Sequence, residues 1–186
     1  MKNRREDGLH NKRITVNDIA QIGVMIALIE VSKLALQGIP NIELTSFWLI
    51  MFTLYFGAKV LYVIPAFIIL EGCIYGFGMW WIMYLYAWPL LVFIIYMIRK
   101  KASMWTCALI SGGFGLSFGL LCSFPYFFIG LGNGGIMAGL RAAFTWWIAG
   151  IPWDIVHGIS NFVIMLMLFG PIQNVMQKIK GIESGK

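Results

Sequence analysis

The chain has 186 residues, of which 60% are hydrophobic and only 12% charged, and its mean hydropathy is +0.81. Soluble domains run at about 45–50% apolar and about 25% charged residues, so this composition excludes a water-soluble fold and makes lipid part of the solvent. The formal net charge of +6 is compatible with nucleic acid, but the basic residues sit where membrane sidedness puts them, and no nucleic-acid partner is expected.

Residues 1–15 form a short segment with both signs of charge, followed at once by a long apolar stretch carrying Glu30 and Lys33. No small-x-small cleavage site follows, so a removable signal peptide is not expected. A membrane helix needs about 20 mostly apolar residues. Lipid also forces every backbone group to be paired internally, which leaves helices or closed barrels. The apolar runs here lack period-two alternation and predict helices. The first spans residues 16–37 and stops at Gly38-Ile39-Pro40-Asn41. The second spans 42–57 and, after a turn at Ala58-Lys59, the third spans 60–75; both are short for a span. Gly76-Phe77-Gly78 separates them from a fourth helix over 79–98, which Arg99-Lys100-Lys101 ends. The fifth spans 105–129. A glycine-rich connector, 130–135, and a short helical piece reaching 149 lead to Pro152, which suits the first turn of a sixth helix ending near 170. The expected fold is an all-α membrane protein: one domain of six transmembrane helices over residues 16–172, with a short segment before it and a polar tail, 173–186, after it.

Lysine and arginine in short loops mark the cytoplasmic side. With six spans, all 14 basic residues except Lys33 and Arg141 fall on one side: the N-terminal segment, Lys59, Arg99 to Lys101, and the tail. Both termini are therefore expected to be cytoplasmic, in a bacterial cell membrane. Ionisable groups within a membrane are functional candidates by default, and Glu30, Lys33, Glu43, Glu71, Asp154 and His157 all fall in the outer half. So do many aromatic residues, among them Tyr75, Trp80, Tyr84, Trp88 and Trp147. An interfacial aromatic belt accounts for the rings but not for the carboxylates and the imidazole. Together they predict an outward-facing cavity with aromatic walls and a few polar anchors, the usual make-up of a small-molecule site. Asp154, His157 and Asn161 stand at i, i+3 and i+7 and share one helix face, which either reaches that cavity or forms an interhelical hydrogen-bond cluster. Arg141, the one cation of the outer loops, is a candidate partner for Glu43, for Asp154 or for an anionic group. The substrate-binding candidates are Glu43, Glu71, Tyr75, Tyr84, Trp88, Arg141, Trp147, Asp154, His157 and Asn161.

The inner half of the first helix carries Ala20, Gly23 and Ala27, and the last two make a small-xxx-small pair that lets another helix approach closely. Cys73, Cys107 and Cys122 all lie in apolar runs without metal-ligand spacing and read as small buried residues. Neither a metal nor a cofactor is expected. No GxxxxGK[ST] phosphate loop occurs, so a protein of this kind that moves a solute inward takes its energy from a partner.

Size, six helices, an outward pocket and the small-residue face carry a resemblance over nearly the whole length. Pro40-Asn41-Ile42-Glu43-Leu44, Gly150-Ile151-Pro152-Trp153-Asp154 and His157-x-x-x-Asn161-Phe162 add to it. The chain resembles the substrate-binding S component of an energy-coupling factor (ECF) vitamin transporter. The resemblance implies a high-affinity binding subunit without its own ATPase. It implies that Gly23 and Ala27, with Ala20 alongside, dock on a transmembrane coupling protein, and that two ATPase subunits drive delivery as the S component topples in the membrane. Aromatic walls suit a flat heterocycle and acidic anchors suit a cation or a donor-rich ligand. Thiamine, riboflavin, a queuosine precursor, a pyridoxine-like compound and cobalamin all stay open.

A second reading is enzymatic. Gly115-Leu116-Ser117-Phe118-Gly119 fits G-x-S-x-G, and an intramembrane serine protease needs a base such as His157 within hydrogen-bond reach of Ser117. Ser117 sits deeper than His157, however, and the motif arises easily in a glycine-rich helix. A third reading is a structural membrane assembly protein.

Overall fold

The computed structural model describes residues 14–184, and these contain helices and turns with no strand. The basic residues Lys2, Arg4, Arg5, Lys12, Arg13 and Lys186 lie outside the described residues. Helix α1, Val16–Leu36, opens on a capping box: Thr15 Oγ1 accepts from the Asp18 N–H and the Asp18 carboxylate accepts from the Thr15 N–H, satisfying donors that a helix start otherwise leaves open. Helix α2 is Thr45–Phe56, α3 is Val60–Tyr75, α4 is Met79–Ile98, α5 is Met104–Leu116 and α6 is Phe118–Ser184. Helix α6 breaks at Gly134 and Gly135, whose backbones are non-helical, into a first arm, 118–133, and a second arm, 136–184.

Side-chain pairings fix the direction of each segment. Trp48 Nε1 donates to Ser32 Oγ at one end, while Lys59 pairs with Asp18 and donates to Gln21 at the other. Helix α2 therefore runs antiparallel to α1. Glu71 meets Lys33, so α3 turns back alongside α1. Trp81 Nε1 donates to the Ile68 carbonyl, and Arg99 comes up against Gly57, so α4 reverses again. Helix α5 with the first arm of α6 returns, and the second arm descends beside α2, from Glu43–His157 and Asn161–Ser46 to Tyr55 with Gln173 and Gln177. The result is an alternating bundle of helical segments. The basic residues Lys59 and Arg99 gather at one end, and the 37–44 loop closes the other. Gly57 makes the tight α2–α3 turn at φ +58°, a conformation open to glycine at little cost.

Among the described residues, four helical stretches are long and apolar enough to cross a membrane: Val16–Leu36, Thr45–Tyr75, Met79–Ile98 and Met104–Gly181. Their boundaries differ from the sequence-based expectation in four places. Helix α2 starts at Thr45 rather than 42, because Glu43 caps it from outside. The predicted fifth helix is interrupted at Ser117, and the predicted connector 130–135 shrinks to the break at Gly134–Gly135. Pro152 starts no helix; it lies inside the second arm, which also runs unbroken from the expected domain into the tail. Two extra helix ends in an apolar setting would expose more orphan backbone groups than one proline does.

The core is built from α2, α3 and α4, with Phe47, Phe52, Phe67, Leu91 and Ile95 almost wholly buried. Lipid tails are as apolar as leucine, so helix association here depends on close packing. A tight seam joins α5 to the second arm of α6. A Cβ on Gly115 would lie 2.9 Å from the Cα and N of Gly158, and one on Gly112 would lie 3.1 Å from the Phe162 Cβ. Helix α1 is the least embedded element, with Met25, Ile29 and Glu30 as its buried residues. Gly115→Val should therefore destabilise the bundle by about 1–3 kcal/mol, the usual cost of overpacking. Its SDS-unfolding midpoint in micelles should fall. A Cβ on Gly113 would have no heavy atom within 4 Å beyond its own helix turn, so Gly113→Ala should not lower that midpoint. Equal midpoints for the two variants would contradict the seam.

Candidate functional site

A cavity of about 370 Å³ opens at the end of the bundle closed by the 37–44 loop. Its walls come from the end of α1 (Lys33, Leu36), the loop with Glu43, the end of α3 (Glu71, Tyr75) and the start of α4 (Trp80, Tyr84). Four of the sequence candidates, Glu43, Glu71, Tyr75 and Tyr84, thus meet around one space. The breaks at 37–44 and 76–78 put three helix ends at the same level, which is why residues far apart in sequence converge.

Lys33 organises the site. Its ammonium pairs with the wholly buried Glu71 and lies 5.1 Å from the Tyr75 ring centroid, 5.4 Å from Tyr84 and 6.0 Å from Trp80. Tyr84 packs edge-on against Trp80 and Trp88 and is stacked on Phe67. Trp88 is 3% exposed and forms the packed layer beneath the cavity rather than its lining. Lys33 and Trp80 stand out in the sequence as a costly and an aromatic outer residue, outside the substrate-binding candidates. The signal was available: Lys33 follows Glu30 by three residues on the same helix, so both sit on one face.

Glu43 lies in the loop between α1 and α2. It accepts from the Ser46 N–H at 2.9 Å through Oε2 and contacts His157 Nε2 at 3.2 Å through Oε1. Burial alone would raise the Glu43 carboxyl, but the hydrogen bond and charge of His157 and the Ser46 contacts outweigh it and hold the carboxyl at about 2. Ser160 Oγ donates to the Asn41 carbonyl, and Asn161 Nδ2 donates to Ser46 Oγ. Asn41 itself takes φ +59°, a left-handed value asparagine tolerates better than most residues. The second arm of α6 therefore grips the loop that forms one wall.

Asp154, His157 and Asn161 share a buried face, as their spacing predicts, and of the two alternatives the hydrogen-bond cluster is the one found. Asp154 Oδ1 accepts from the Gly119 N–H at 2.9 Å, capping the helix restart after Ser117. None of the three lines the cavity. Arg141 and Trp147 lie on the 136–150 stretch, also away from it. Among the described residues Arg141 pairs with neither Glu43 nor Asp154; it borders a separate depression beside Tyr126 and Trp146, whose rings stack at 3.8 Å.

Both glycines of G-x-S-x-G have packing roles, Gly115 against Gly158 and Gly119 against Asp154. Ser117 is exposed and donates to the Gly113 carbonyl at 2.8 Å, while His157 is buried against Glu43 and Phe118. Among the described residues no histidine, lysine or carboxylate hydrogen-bonds Ser117 Oγ. Ala20, Gly23 and Ala27 are exposed, and no heavy atom comes within 4 Å of a Cβ placed on Gly23, so this face is bare rather than packed inside the bundle. Cys107 and Cys122 are buried as expected, whereas Cys73 is exposed. Among the described residues no group of histidine, cysteine and carboxylate side chains is arranged to hold a metal.

No protein-family model, curated protein or solved structure matches the chain. Asp154→Ala should lower stability by about 1.5–3 kcal/mol, the range for hydrogen bonds to charged groups. Its denaturation midpoint in detergent should fall while ligand affinity is kept. A loss of affinity at unchanged stability would instead put Asp154 in the binding site.

Proposed function

We propose that the chain is the substrate-binding subunit of an ECF-type importer in a bacterial cytoplasmic membrane. In this reading it crosses the bilayer six times, both termini are cytoplasmic, and the cavity faces out. It captures a vitamin or related micronutrient and passes it to a transmembrane coupling protein driven by two ATPase subunits. It carries out no chemistry of its own.

The observation that carries the reading is the cavity. It is of ligand size, lies at one end of the bundle, and combines aromatic walls with charged anchors, as small-molecule sites do. The opposite end gathers Lys59 and Arg99, the side the positive-inside rule makes cytoplasmic. The bare face of Ala20, Gly23 and Ala27 supports docking, because a helix surface of small residues lets a partner helix approach to backbone distance. A cavity of about 370 Å³ favours a thiamine-, riboflavin- or queuosine-precursor-sized ligand over the far bulkier cobalamin.

Binding and delivery are separable. Gly23→Trp should abolish vitamin uptake by cells expressing the complete transporter, while the purified variant keeps its ligand affinity and its Trp-quenching signal. Normal uptake by Gly23→Trp would remove the docking assignment. Failure of the wild-type protein to bind any of a broad vitamin panel would remove the binding assignment.

A further inference from the structure

Two carboxylates, Glu43 and Glu71, and one ammonium, Lys33, line the cavity, and a third carboxylate, Glu30, is buried behind it on α1. Glu71 is wholly buried beneath Lys33. Glu43 is held by His157 and Ser46. Glu30 stands one helical turn before Lys33, is 7% exposed, and neither of its oxygens has a hydrogen-bond partner among the described residues. Lys33 pairs with Glu71 and His157 contacts Glu43, which leaves Glu30 with no ion-pair partner among the described residues. A buried carboxylate without a counter-charge is strongly unfavourable, so a positive charge brought to Glu30 is stabilising there.

The Lys33 ammonium shows what kind of charge fits. It sits among the faces of Tyr75, Tyr84 and Trp80 at 5.1–6.0 Å, an arrangement that holds organic cations. The Lys33 side chain is 25% exposed and Glu71 is fully covered, so an entering molecule reaches Lys33 first and Glu71 only by moving it. Lysine carries its charge on a flexible four-carbon stem, and Glu30, three residues earlier on α1, is within its reach.

Resting on the reading of this chain as a substrate-binding subunit, we infer that Lys33 occupies in the empty protein the place of the ligand's own positive charge, and that the cavity takes a flat organic cation with N–H donors. The ligand's cation displaces Lys33 from Glu71 and from the Tyr75–Trp80–Tyr84 cage. Lys33 then swings one turn back to Glu30, and every charge is paired. A ligand carboxylate or phosphate would instead add a negative group to a space already lined by Glu43 and Glu71.

The test uses the purified full chain in detergent and three rings of nearly one shape: benzamidine (cation), benzamide (neutral) and benzoate (anion). Calorimetry should give benzamidine at least about tenfold tighter binding than either analogue. Lys33→Met removes the internal competitor and should tighten benzamidine binding by about tenfold, whereas Glu71→Gln should erase the preference for the cation. Benzoate or benzamide binding as well as benzamidine, or weaker benzamidine binding by Lys33→Met, overturns the inference. So does binding of none of the three at millimolar concentration. If Lys33→Met does not fold, the double variant Lys33→Met/Glu71→Gln removes both charges together and should bind benzamidine no better than benzamide; a retained cation preference there overturns the inference. A neutral or anionic ring that binds in place of the cation leaves the substrate-binding reading standing, and the uptake phenotype of Gly23→Trp tests that reading without reference to ligand charge.

Discussion

Inside an apolar bundle there is no bulk water to satisfy a polar group, so each buried donor, acceptor or charge has to find its partner within the protein. That constraint shapes this molecule at two levels. At the backbone level it keeps the second arm of α6 helical through Pro152 and Pro171, since each further break would open more orphan groups in lipid. At the side-chain level it draws the scarce ionisable residues together. Lys33 covers Glu71, His157 covers Glu43, and Asp154 takes the Gly119 N–H. These three pairings tie α1 to α3, the 37–44 loop to α6, and the two arms of α6 to each other. The cavity is the space they leave.

Much of this is legible in the sequence, because composition and hydropathy act over long windows. The runs at 16–36, 60–75 and 79–98 emerge with almost the observed limits, and the polar residues sort to one end. What fails is local. Proline at a helix start and proline inside a membrane helix look alike from sequence, so Pro152 is misread as an N-terminus. Gly130–Asn133 reads as a loop by composition, yet Gly130 and Gly139 pack so closely that glycine serves contact there rather than flexibility.

The site divides in the same way. Glu43, Glu71, Tyr75 and Tyr84 are found by depth alone, since depth decides which residues reach the open end. Arg141, Trp147 and Asp154 satisfy the same depth rule but sit on segments that turn away from the cavity or are occupied in holding two helices together. Only pairwise geometry separates the two groups. Lys33 is the converse case: its cost in lipid marks it, but its place at the centre of an aromatic cage depends on α3 and α4 ending at the level of α1. The G-x-S-x-G match dissolves for a packing reason, as its glycines are the contact points of a helix seam.

The molecule is two-ended, with the cavity at the loop end and a bare small-residue face toward the basic end. Native mass spectrometry of protein extracted gently from cell membranes tests the ligand site most directly. The wild type should carry a small-molecule adduct of vitamin size. Leu36→Trp, which fills the cavity from its α1 wall, should fly without it at unchanged stability. An adduct that persists in Leu36→Trp, or bare protein in both samples, would contradict the cavity as the place where this protein does its work.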